Sequence, residues 1–206
     1  IVYKTEQMQK SLIILLTILA SITQGISQDL QIPKSLKVNE AQFSLNNVER
    51  NGFAIMVNGD SKTILKSFES FLEDAYKLET KYKSHQLIGE ELMNTAISDK
   101  HVGLYSYVNE SGAGNELRFF LNFGTDIYVN SGAYPAESEK AKEILKAFVK
   151  QFYSTKINEE IAETNDDLKD DLKDLSKLKG SIQDELKDKA KAEKKIAKSE
   201  EKIAKA

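Results

Sequence analysis

An apolar residue recurs every seventh position along the last quarter of the chain, at Ile161, Leu168, Leu175, Ile182, Ile196 and Ile203, and only Lys189 breaks the step. From Ile157 onward there is no proline, no aromatic residue and a single glycine, Gly180, so nothing in this stretch interrupts a helix. A seven-residue apolar repeat on a charged background predicts a long helix with one narrow seam that lies against another helix. The partner expected from this pattern is therefore a helix, either in a second copy of the chain or in another protein. Gly180 followed by Ser181 leaves one further arrangement open, in which the segment turns back at Gly180 and pairs with itself.

Charge is distributed unevenly along the same segment. Residues 155–188 carry 11 acidic and 6 basic side chains, net −5, whereas 189–206 carry 3 acidic and 7 basic, net +4. Antiparallel pairing would set the basic tip over the acidic stem, while parallel pairing would stack like on like. The lysine-rich tip also suits peripheral contact with an anionic membrane surface or envelope polymer. Its Ala and Ile strip is too thin for deep insertion.

The amino-terminal end carries a second pattern. Lys10 precedes the apolar run Leu12 to Ile22, and the small residues Gly25 and Ser27 follow at the spacing of a cleavage site, which predicts a secretory signal peptide over residues 1–27. The run is shorter than the ~20 apolar residues of a membrane span. Export to the periplasm, outer envelope or exterior is the expected localisation. With no cysteine in the chain, disulfides, thiolate nucleophiles and Cys-based metal sites are all excluded.

Between these ends the sequence alternates strand and helix signals. Residues 28–40 are polar, contain Pro33 and read as a leader or a first edge element. Phe53, Ile55 and Val57 mark a buried strand. Asp60 is placed to cap a helix whose apolar positions Ile64, Leu65, Phe68, Phe71, Leu72, Ala75 and Leu78 predict a run to about Lys83. Val102 to Val108 and Leu117 to Phe123 alternate in step around Ser111-Gly112-Ala113-Gly114-Asn115, which predicts an antiparallel hairpin. Gln86–Ile88, Thr95–Ser98 and Ile127–Val129 are shorter strand candidates, giving four to six strands in all. Pro135 opens the last helix, whose broad face Ala141, Ile144, Leu145, Phe148, Val149 and Phe152 narrows into the seam beyond Ile157.

The expected architecture is an α+β domain over 41–154, a two-layer sandwich of an antiparallel sheet with two helices on one face, the second helix extended as a charged coiled-coil-like tail over 155–206. The opposite sheet face would present Tyr105, Tyr107, Arg118, Phe120 and Asn122, and the aromatics Tyr105, Tyr107 and Phe120 are the candidate contacts for an apolar or glycan ligand.

Catalytic chemistry has few candidates. His85 and His101 sit in polar loop settings without metal-ligand spacing, and no nucleophile elbow, P-loop or dinucleotide fingerprint occurs. No cofactor is expected, and the reading is non-enzymatic. A formal charge of −3 gives no support for nucleic-acid binding. The signal-peptide pattern, the Gly52 to Val57 strand with its following helix, the Tyr134-Pro135 helix start and the Lys/Asp/Glu-rich tail together resemble small exported proteins of Bacteroidota, and the order of elements resembles the TATA-binding-protein-like fold. That resemblance implies an envelope setting and transfers no catalytic residue.

Overall fold

The computed structural model describes residues 36–205 except 112, 113 and 125. The expected signal segment 1–27 and residues 28–35 of the expected leader lie outside the described residues. Packing divides the described residues into two units, one ending at Ser154 and one beginning at Thr155.

The first unit is built on a six-stranded antiparallel sheet. Its strands are β1 (Asn39–Leu45), β2 (Val48–Val57), β3 (Lys81–Lys83), β4 (Gln86–Leu92), β5 (Val102–Ser111) and β6 (Gly114–Asn122), in the order β1-β2-β6-β5-β4-β3. Two helices accompany them, α1 (Ser61–Tyr76) and α2 (Pro135–Ala204). Phe53, Ile55, Val57, Leu104, Leu117 and Phe119 point from the sheet into a core closed by Phe68, Phe71 and Leu72 of α1 and by Ile144, Leu145, Phe148 and Val149 of α2. Phe68 stands at the centre of it, with ring centroids 4.8 Å from Phe148 and 5.6 Å from Phe119. The fold is the expected α+β sheet with a long helical extension.

Local chemistry explains where elements begin and end. Asp60 caps α1, its carboxylate accepting the Thr63 N–H at 2.8 Å. The helix stops at Tyr76, short of the expected Lys83, because Lys77 turns left-handed at φ 54° and the Leu78 N–H returns to the Leu72 carbonyl at 3.1 Å. Leu78 still reaches the core as the chain leaves the helix, and residues 81–83 then become β3. Three strand expectations also change. Residues 39–45 form an edge strand, joined to β2 through Asn46 and Asn47, both at positive φ. Residues 95–98 form a turn in which Asn94 accepts the N–H groups of Ala96, Ile97 and Ser98. Residues 127–129 contribute one bridge, between Tyr128 and Asn122.

Glu40 of β1 ties that edge strand to α2. Its carboxylate accepts the Ser131 N–H at 2.5 Å and the Ser138 hydroxyl at 3.2 Å and pairs with Lys142 at 3.0 Å. Burial works to raise this carboxyl, but the Ser131 backbone N–H and Lys142 outweigh it and hold it at about 2.

The second unit continues α2 without a break. Gly180 lies inside the helix, so the turn-back at that position does not form. No helix among the described residues is long and apolar enough to cross a membrane.

Candidate functional site

Two surfaces could carry function: the apolar stripe of α2 beyond Thr155 and the sheet face turned away from the helices.

Every residue of the expected seam is solvent-exposed, from 50% at Ile182 to 76% at Ile203. The stripe is wider than the seven-residue pattern implies, since Leu172, Leu178 and Leu186 are also more than half exposed. On a helix advancing about 100° per residue, the six apolar side chains from Leu168 to Leu186 fall within an arc of about 120°, the width of a face that packs against other elements. The three added leucines follow heptad residues by four, three and four positions (168 to 172, 175 to 178, 182 to 186), so helical spacing would have found them where a strict seven-residue step did not.

The other side of the same helix repeats Asp-x-x-Lys. Asp166–Lys169, Asp170–Lys173, Asp174–Lys177, Asp184–Lys187 and Asp188–Lys191 are ion pairs of 2.6 to 3.0 Å, all exposed. Solvent screening leaves each of them weak, yet together they neutralise the back of the helix locally and leave the apolar stripe as its distinguishing feature.

On the sheet face, Tyr107 and Phe120 stack at 5.9 Å between centroids. The expected aromatic surface is only partly open, because Phe120 is fully buried there. It lies over Gly52 of β2 and is enclosed by the rings of Phe43 at 6.3 Å and Tyr128 at 6.4 Å. Arg118 closes this cluster from above: its guanidinium lies 4.7 Å from the Phe43 centroid, pairs with Glu116 at 2.8 Å and donates to the Tyr107 hydroxyl at 3.0 Å. Tyr107 in turn donates to the Ser44 carbonyl at 2.5 Å. Phe120 thus belongs to a small second core and is not available to a ligand.

Tyr105 has a different setting. With Tyr128, Ile88, Asn122, Glu90 and Lys81 it lines a concavity of about 1230 Å³ bounded by β3, β4, β5 and by Phe123, Gly124 and Asp126. Gly103 opens its floor, since a β-carbon there would lie 2.5 Å from the Asn122 amide oxygen. Burial pushes the Tyr128 phenol up, with Tyr105 adding to the effect. Arg50 pairs with Asp126 and lies 5.3 Å over the Tyr128 ring, bracing one wall.

His85 occupies the β3–β4 turn at φ 63°, and the His101 ring nitrogen Nδ1 lies 3.2 Å from the Glu91 carbonyl. Among the described residues no group of three or more His, Asp or Glu side chains is placed to hold a metal ion. No family model, curated protein or solved structure matches this chain.

Proposed function

We propose that the protein is a non-enzymatic, exported envelope protein in which an α+β interaction domain is carried on a partner-binding helical segment. The observation that carries this reading is the stripe from Ile161 to Ile203, nine large apolar side chains each at least half exposed on one helix. Exposed apolar surface of that extent marks an interaction site in a soluble domain. Its width and periodicity suit a helix as the covering element. The export part of the reading is supported by the signal-like pattern over residues 1–27, and the envelope setting by the resemblance to exported Bacteroidota proteins.

Chemical cross-linking in intact cells, followed by size separation, tests the partner claim. Wild-type protein should appear in a larger species, and Leu168→Lys with Leu175→Lys should shift it to the mass of one chain. A wild-type chain that never cross-links, or a double variant that cross-links as well as wild type, would overturn it. Sequencing the amino terminus of the exported form tests the localisation, with a start at or near Gln28 expected.

A second reading is favoured by the concavity beside Tyr105 and Tyr128, whose phenols, Asn122 amide and Glu90 carboxylate offer the stacking faces and hydrogen-bond groups that sugars use. Calorimetric titration with envelope glycans, repeated on Tyr105→Ala, separates this reading from the first.

A further inference from the structure

We infer that the helix covering the stripe is the same segment of a second copy, packed antiparallel with the two-fold axis at Ile182. This inference rests on the partner-binding reading of the tail and goes further by naming the occupant and its register.

The register follows from the order of side chains along one uninterrupted helix. With the axis at Ile182, that residue meets its own copy, Leu178 meets Leu186, Leu168 meets Ile196 and Ile161 meets Ile203. Leu172 meets the small Ala192, and of the stripe's large apolar side chains only Leu175, which meets Lys189, lacks an apolar partner. The charges agree. Residues 189–205, with 7 lysines and 3 glutamates, lie along 159–175 of the other copy, with 8 acidic residues and 2 lysines, setting +4 against −6. Within the stripe, Lys179 meets Glu185.

Neighbouring registers lose the charge match. Moving the axis one heptad back to Leu175 keeps Leu168 against Ile182 and Leu172 against Leu178 but sets 192–205, net +2, against 145–158, net +3. Moving it forward to Lys189 sets that lysine against its own copy and lays 190–205, net +3, along 173–188, net zero. Parallel pairing places every charge beside its own copy. A turn-back within one chain is excluded by the helical run through Gly180.

Two unfavourable contacts remain along the stripe in the chosen register, Leu175 against Lys189 and Asp171 against Glu193, and the second supplies a gain-of-function test. Glu193→Lys removes the repulsion and adds to the basic tip, so it should tighten self-association several-fold. In a parallel pair the same change enlarges a like-charged cluster and loosens it.

Because the chain has no cysteine, single introduced cysteines report the register directly in the full chain. Positions 168, 182 and 196 are at least half exposed, so substitution there leaves the α+β domain intact. Under mild oxidation Ile182→Cys should form disulfide-linked dimers. Leu168→Cys alone and Ile196→Cys alone should not, and a mixture of those two should yield the mixed dimer. Self-linked dimers of Leu168→Cys and Ile196→Cys, no disulfide at any of the three positions, or weaker association of Glu193→Lys would each overturn the inference. If the purified chain stays monomeric while Leu168→Lys with Leu175→Lys still collapses the larger species in cells, the stripe binds a different helix: the second-copy inference falls and the partner-binding reading stands.

Discussion

Gly52 lies in β2 directly beneath the Phe120 ring, and replacing it by alanine should destabilise the α+β domain by about 1–2 kcal/mol. A β-carbon at this position would come within 2.7 Å of two Phe120 ring carbons and 3.2 Å of the Phe119 carbonyl oxygen. Something would have to move. Phe120 cannot easily yield, since it is fully buried and held between Phe43, Tyr107 and Tyr128. Tyr107 is itself fixed by its hydrogen bond to Ser44. Overpacking of this kind costs about 1–3 kcal/mol. Against it stands a gain of about 0.4–1 kcal/mol from replacing glycine in a conformation that alanine tolerates. The net loss should lower Tm by about 4–8 °C in a circular-dichroism melt. Phe120→Leu removes the obstructing ring edge, so in the double variant the two losses should fall short of their sum by about 0.5 kcal/mol or more. A Gly52→Ala protein as stable as wild type, or strict additivity with Phe120→Leu, would refute the claim that Phe120 is confined, and would return it to the ligand-facing surface.

Three further outcomes follow from the packing. Glu40 has a carboxyl held at about 2 in the folded state, below its ordinary 4.5, so it contributes stability above about pH 4.5 that disappears as pH falls toward 2. Discounted for solvent screening, the loss should be about 1–2 kcal/mol, and urea melts at pH 6 and pH 2.5 on wild type and Glu40→Gln measure it as a smaller acid sensitivity in the variant. Truncation after Thr155 should leave a cooperative melt, because the buried face of α2 ends at Tyr153, whose hydroxyl accepts the Asn58 N–H at 2.9 Å. Truncation after Pro135 should abolish that melt, since it removes Ile144, Leu145, Phe148 and Val149, each worth about 1.5–3 kcal/mol of burial in a domain whose net stability is about 5–15 kcal/mol.

Strong local signals made most of the fold legible from sequence. Asp60 as a cap, the alternating apolar residues of β5 and β6, and Pro135 ahead of a wide apolar face each specify an element without reference to distant contacts. Elements that depend on special backbone angles were harder to read. The end of α1 rests on Lys77 adopting a left-handed conformation, which lysine rarely favours, and β1 and β3 depend on the turns Asn46-Asn47 and Ser84-His85, all four at positive φ. The candidate surfaces divide in the same way. The tail stripe was visible because helical periodicity is local, and only its leucines off the seven-residue step were missed. The burial of Phe120 could not be read locally, because it is created by Phe43 from a distant edge strand and by Tyr128 from a loop whose return over the sheet no local pattern specifies. The same long-range arrangement forms the concavity beside Tyr105.

The central claim is that the exposed stripe of α2 is an association surface, and sedimentation equilibrium of the purified chain tests it most directly. Wild-type protein should show a mass above that of one chain, rising with concentration and falling as salt is raised from about 0.05 to about 0.5 M, where the Debye length shrinks from over about 10 Å to under about 5 Å. Leu168→Lys with Leu175→Lys should sediment as one chain at both salts while its thermal melt stays that of wild type. A wild-type chain that remains monomeric at every concentration and salt would contradict self-association through this stripe.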